Sequence, residues 1–244
     1  MAYGGGYRVS FGPRITGMVK LLIIANVAVF LWNLLAGFAG AHEIIRIFGL
    51  TPALVVTRLY FWQLVTYLFL HGGFFHILFN MFALWMFGSE LERTWGSRAF
   101  LRYYFVTGVG AGLFSVLADP FSMIPTIGAS GAVYGILLAY CMLFPERYVY
   151  LYMLIPVKVK YFVAFLGALA FLSALGSPGS TVAHIAHLGG MVVGLVYLKG
   201  WFSLGRIRQS YYRWKLQKMR QRFDVHHGGR DNRRPRKDDD FWIN

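Results

Sequence analysis

Five stretches of this chain run without a single Asp, Glu, Lys or Arg, and their lengths decide what it can fold into: Leu21–Ala41, Leu59–Ser89, Tyr103–Ala118, Phe121–Pro145 and Tyr161–Leu198. A helix needs ~20 apolar residues to cross a hydrocarbon core of ~30 Å. The first stretch, at 21 residues, suits a retained span better than the short apolar core of a signal peptide. The last, at 38 residues, holds two spans, with Gly176-Ser-Pro-Gly-Ser180 as the turn between them. Six spans are therefore predicted, near 18–38, 70–89, 101–118, 129–145, 159–176 and 182–199. Composition agrees: 57% of residues are hydrophobic and only 14% charged, against ~25% charged in soluble domains. That excludes a soluble globule with charge spread over its surface and a disordered chain short of apolar residues. A purely nucleic-acid-binding protein would not set its basic residues beside such apolar blocks, so no nucleic-acid partner is expected. The single cysteine, Cys141, rules out an internal disulfide.

Charge placement orients the bundle. With six spans and both termini in the cytoplasm, the cytoplasmic segments collect Arg8, Arg14, Lys20, Arg93, Arg98, Arg102, Arg147, Lys158, Lys160 and every basic residue after Leu198. Only Arg46 and Arg58 of the 24 Lys and Arg fall outside, a strong positive-inside bias. The chain divides into a flexible arm over 1–17, a six-helix domain over 18–200 and a basic tail over 201–244. In the tail, Tyr212, Leu216, Met219 and Phe223 recur at helical spacing among many cations, the pattern of a juxtamembrane helix on anionic lipid; from His226 onward the composition predicts disorder. The first external loop, about 39–69, is rich in Ile, Leu, Val, Phe and Tyr, and is expected to lie in the interface or against the bundle rather than in water.

This topology brings the unusual polar residues to one depth. His71-Gly-Gly-Phe-Phe-His76-Ile-Leu-Phe-Asn80 opens the second span from outside, Gly128-Ala-Ser130-Gly131 the fourth, and His184-Ile-Ala-His187-Leu-Gly-Gly190 the sixth. Polar groups inside a membrane are costly unless they face the bundle or a water-filled cavity. Each piece alone reads as helix packing or an interhelical hydrogen bond, but their shared depth points to a site. A serine hydroxyl beside a neutral histidine suits acyl transfer, and the tetrahedral intermediate needs preorganised donors. His76, Asn80 and the backbone N–H of Ser130 at a helix N-terminus are candidates for that task. Asp119 sits at a loop edge and Glu43 in the first loop, so a Ser–His dyad is simpler than a triad. Gly131-x-x-x-Gly135 and Gly190-x-x-x-Gly194 allow close helix approach; if those faces meet, Ser130 reaches His187, and Tyr134 is placed to pack on the imidazole.

These residues resemble the rhomboid family of intramembrane serine proteases. The likeness includes His76-x-x-x-Asn80, Gly128-Ala-Ser130-Gly131 with Tyr134, and Ala186-His187-Leu-Gly-Gly190-x-x-x-Gly194 in that order, with Gly49-Leu-Thr-Pro52, Trp62 to His71 and Gly88-Ser-Glu-Leu-Glu92 flanking them. It covers roughly residues 15–200. It implies an all-α, six-helix rhomboid-like bundle, Ser130 as nucleophile, His187 as general base, and His76, Asn80 and the Ser130 amide as the oxyanion site. It also implies a single-span membrane protein as substrate and no cofactor. The family pattern sets Gly three and seven residues after the catalytic histidine, which His187 satisfies and His184 does not; His184 is read as a neighbouring polar or packing residue. One departure is Gln63, where the family often has arginine after the tryptophan. Two other functions stay open: a catalytically silent rhomboid-like protein that binds membrane clients, and a metal or haem protein ligated by His71, His76, His184 and His187. The expected location is a bacterial plasma membrane, with the site facing outward and the tail in the cytoplasm.

Overall fold

The computed structural model describes residues 13–151, 154–176 and 184–200. The arm before Pro13, the turn expected at 176–180 beyond its first residue, and the whole basic tail lie outside the described residues.

The chain is mostly helical. Helix α1 spans Gly17–Leu35, followed in the first loop by α2 (Gly37–Phe48), α3 (Pro52–Arg58) and α4 (Gln63–Thr66). Helix α5 (Phe74–Ala83) runs through a π-helical turn at Leu84–Gly88 into α6 (Ser89–Trp95). Then come α7 (Ser97–Ala118), α8 (Ser130–Leu143), the antiparallel strands β1 (Tyr148–Leu151) and β2 (Ile155–Lys158), and α9 (Val159–Gly176). A further helix, α10, covers 184–200. Among the described residues, three helices are long and apolar enough to cross a membrane: Gly17–Leu35, the continuous Phe74–Trp95, and Ser97–Ala118; Ser130–Leu143 and Val159–Leu175 are shorter apolar helices.

Two expectations change. The second helix begins at Phe74 rather than near 70 and continues to Trp95, because Glu90, Glu92 and Arg93 form its polar end rather than ending it. The fold is also not purely helical. The link between α8 and α9 is a hairpin pairing Tyr148 with Lys158 and Leu151 with Ile155, where β-branched and aromatic residues favour extended chain. At its base Glu146 lies between Lys158 (2.7 Å) and Lys160 (2.5 Å), whose hydrogen bonds pull its carboxyl down to about 2.

Helix α7 is the hub. Its Phe100, Tyr103, Tyr104, Thr107 and Ala111 are fully buried, and its glycines admit neighbours on several sides. A Cβ on Gly108 would meet Leu68 at 2.7 Å, on Gly110 Val193 at 2.6 Å, and on Gly112 Leu50 at 3.2 Å. Gly96 turns the chain from α6 into α7 at φ +81, a conformation other residues adopt at a cost. Outward-facing apolar residues such as Leu35 (86% exposed) and Phe79 (67%) form the surface that a hydrocarbon solvent stabilises.

The first loop packs against the bundle, burying Ile44, Leu50, Ala53 and Val55. Backbone hydrogen bonds join Leu50 to Thr126 and Ala53 to Ser122, and side chains of α4 and the residue before it bind the loop internally. The fully buried Gln63 accepts from the Thr51 N–H (3.0 Å) through Oε1 and donates through Nε2 to the Arg46 and Ile47 carbonyls (both 3.2 Å). Trp62 Nε1 donates to the Ile47 carbonyl at 2.9 Å, and Thr66 Oγ1 to that of Phe48 at 2.7 Å. A neutral amide, which both donates and accepts, thus fixes the loop at the position where the family often carries a guanidinium.

Candidate active site

Ser130 is the first residue of α8, following Ala129 at the cap. The first N–H groups of a helix have no partner within it, and they carry the positive end of its dipole. Just upstream, Gly128 has φ +122 and donates its N–H to the Tyr67 carbonyl at 2.9 Å. A Cβ on Gly128 would meet His76 Nε2 at 2.7 Å and Ser130 Oγ at 3.7 Å. Glycine is thus required there twice over: by its backbone angle and by the space that the imidazole and the hydroxyl share.

Helix α10 supplies the base. His187 Nε2 and Ser130 Oγ are 2.7 Å apart across 57 residues of sequence. The imidazole lies flat on the Tyr134 ring, with centroids at 4.4 Å and planes 1° apart, and the edge of His184 stands 5.9 Å away at 75°. Stacking on one face and an edge contact leave the ring little rotational freedom, so its Nε2 is held toward the serine.

Backbone contact makes this reach possible. A Cβ on Gly190 would collide with the Gly131 carbonyl oxygen and lie 2.8 Å from its carbon, while one on Gly131 would meet Ala111 at 2.5 Å and the Ala186 carbonyl at 3.5 Å. Only the first glycine of each small-residue pair lies at this contact. Gly135 faces Thr107 at 2.7 Å, and Gly194 faces the Tyr103 hydroxyl and Thr107, both on α7. Tyr103 also donates to the Gly135 carbonyl at 2.8 Å. The two motifs therefore do not zip along their length; α8 and α10 touch at Gly131 and Gly190 and then part around α7.

Helix α5 brings the remaining polar groups. His76 Nδ1 accepts from the Gly72 N–H at 3.3 Å, which leaves Nε2 as the proton-bearing nitrogen facing Gly128. Asn80, buried one turn along, donates one amide N–H to the His76 carbonyl at 2.9 Å and keeps a second. His71 was not singled out for the acyl-transfer site by sequence reasoning, yet it is 2% exposed and packs edge-on against His76, centroids 4.9 Å apart. The sequence marks it by its place in a run with His76, at the end of the family-like stretch from Trp62, and as one of four possible metal ligands. The four histidines form two edge-on pairs, His71 with His76 and His184 with His187, and among the described residues no three His, Cys, Asp or Glu side chains are grouped to hold a metal ion.

A sequence profile of the Rhomboid domain matches residues 58–203. The chain is 34% identical over 139 residues to "Rhomboid protein 1, mitochondrial" of Saccharomyces cerevisiae, covering 55% of this chain and 39% of that protein. It is 32% identical over 117 residues to "Rhomboid protease GluP" of Bacillus subtilis, covering 48% and 22%. Identity to "Rhomboid-like protein 16, chloroplastic" of Arabidopsis thaliana is 29% over 214 residues, covering 80% and 64%. The chain thus spans between about a fifth and two-thirds of the length of these relatives.

Proposed function

This chain belongs to the rhomboid family, and from that premise we propose that it is an intramembrane serine protease using Ser130 as nucleophile and His187 as general base. The observation that carries the proposal is the 2.7 Å approach of Ser130 Oγ to His187 Nε2, with the imidazole stacked on Tyr134. Relatives named as proteases, "Rhomboid protease GluP" and "Putative rhomboid protease YdcA", support the reaction class.

In this mechanism Ser130 Oγ attacks the scissile carbonyl while His187 Nε2 takes its proton. The negative oxygen of the tetrahedral intermediate is met by His76 Nε2–H, the second amide N–H of Asn80 and the Ser130 backbone N–H, aided by the dipole of α8. The imidazolium then protonates the leaving amine, and water, activated by the same histidine, releases the acyl group. Gly131 and Gly190 provide the close backbone approach of α8 and α10, Gly128 leaves space for the His76 imidazole, and Gly194 seats α10 on α7. The substrate is a single-span membrane protein whose scissile segment unwinds first, since a helix shields its own carbonyls.

The apolar helices support an integral membrane protein. We extend this to six spans over 18–200 with both termini cytoplasmic, a separate basic tail over 201–244 on anionic lipid, and an active site opening outward. The host membrane in this reading is a bacterial plasma membrane, although relatives include mitochondrial and chloroplastic proteins.

The test is cleavage of a model single-span substrate by the purified full chain in liposomes. Ser130→Ala and His187→Ala should each abolish cleavage with the thermal midpoint unchanged. Full activity of Ser130→Ala would refute the mechanism, and an inactive parent chain that still captures the substrate would favour a client-binding role.

A further inference from the structure

Where α1 and α5 meet, an open apolar groove of about 530 Å³ runs along the surface. Ile23 lines it from α1, Leu78 and Phe82 from α5, and Ile15 closes the end just before α1 begins. Met81 and Trp85 are also part of the lining. Three features mark it as a built site rather than a gap in packing.

The first is the π-helical turn at Leu84–Gly88. A single π turn inserted in an α-helix rotates the residues around it out of register and is common at functional positions. Here it contains Trp85, whose indole N–H donates to the Pro13 carbonyl at 2.9 Å. The indole thereby ties the chain before α1 to the groove and presents its ring to the lumen.

The second feature is length. From Leu78 to Trp85 the helix rises roughly 10 Å, about two-thirds of the ~15 Å depth of one leaflet's hydrocarbon. An acyl chain can lie along that length within one leaflet.

The third is charge at the end of the groove near the start of α1. Lys20 lies one turn before Ile23 on the same face of α1, and Arg14 stands between the two lining residues Pro13 and Ile15. Both side chains are exposed, and neither has an ion-pair partner among the described residues. The neighbouring Arg93 is engaged by Glu90 at 2.8 Å and donates to the Arg14 carbonyl, so it does not compete for the same anion.

We infer that this groove is a binding site for one anionic phospholipid, its acyl chain lying against Ile23, Leu78 and Phe82 and its phosphate held by Arg14 and Lys20. Hydrocarbon is the only large apolar partner present all along a membrane helix, and two unpaired cations at the mouth select a negative headgroup.

The experiment is native mass spectrometry of the full chain after extraction from vesicles of equimolar phosphatidylglycerol and phosphatidylcholine. One phosphatidylglycerol should remain bound in preference to phosphatidylcholine. Arg14→Gln with Lys20→Gln, on exposed side chains that leave the core untouched, should weaken its retention ~30-fold, and Ile23→Trp should displace lipid of either headgroup by filling the groove. Ser130→Ala should retain lipid as the parent does, separating this site from the protease reading. Equal retention of the two lipids by the parent, no retained lipid, or unchanged phosphatidylglycerol retention by the Arg14/Lys20 variant would each overturn the inference.

Discussion

The two polar ends of the bundle are built on opposite principles. At one end Glu92, 4% exposed and the only buried carboxylate among the described residues, is saturated. It accepts the Met18 and Val19 backbone N–H groups (3.0 Å each), the Ser97 hydroxyl (2.6 Å) and the Thr16 hydroxyl. A carboxylate from α6 therefore caps the first turn of α1 in place of a side chain from α1 itself, which has no capping side chain of its own, and the dipole there favours negative charge. At the other end Ser130, His187, His76 and Asn80 keep donors and acceptors open, and their positions are set by stacking and glycine contacts instead. A polar group with every lone pair occupied holds a fold together, and one held in place with hydrogen-bonding capacity to spare is available for chemistry.

Mutations that break this contrast order themselves by size. Removing the proposed nucleophile with Ser130→Ala should cost ~10⁴-fold or more in turnover and leave the melting temperature in place, measured on the same reconstituted sample. Glu92→Ala should do the reverse. Four donors lose a charged acceptor, two of them backbone N–H groups at a helix end, so stability should fall by about 3 kcal/mol while Ser130 is still labelled by a fluorophosphonate. If Glu92→Ala instead lost reactivity at full stability, the two ends would not be separable. Gly190→Ala blurs the division by design: its Cβ meets the Gly131 carbonyl, pushing α10 off α8, and a shift of ~1 Å at the Ser–His contact is expected to cost ~100-fold in rate, with a lower melting temperature. Tyr134→Ala, which removes the ring beneath His187, should cost ~10-fold; Tyr134→Phe, which keeps the ring, should restore most of it.

Much of the candidate site was legible because its residue types are rare in apolar sequence. Ser130, His187, His76 and Asn80 stand out where the adjacent residues are Phe, Ile, Met, Leu, Ala or Gly, and helical spacing places each near the start of its helix. Other parts were silent for an equally physical reason. Gln63 reads as an ordinary polar loop residue until its three backbone partners are seen, and His71 until its edge contact with His76 is measured. Glu92 lay in a recognisable motif, but nothing in the chain says that Thr16, Met18 and Val19, more than 70 residues away, would close around it.

The sequence by itself determined where helices lie against lipid, because that depends on local runs of apolar residues and on the backbone's need to satisfy its own hydrogen bonds in hydrocarbon. It also marked Ser130, His187, His76 and Asn80 as candidates for chemistry. Only the tertiary structure decided that α7 occupies the centre, that Gly135 and Gly194 serve α7 while Gly131 and Gly190 serve each other, and that an apolar groove borders the π turn beside α1. Contacts of that kind depend on how helices distant in the chain share space to within a methyl group, a quantity that close packing sets and local pattern does not carry.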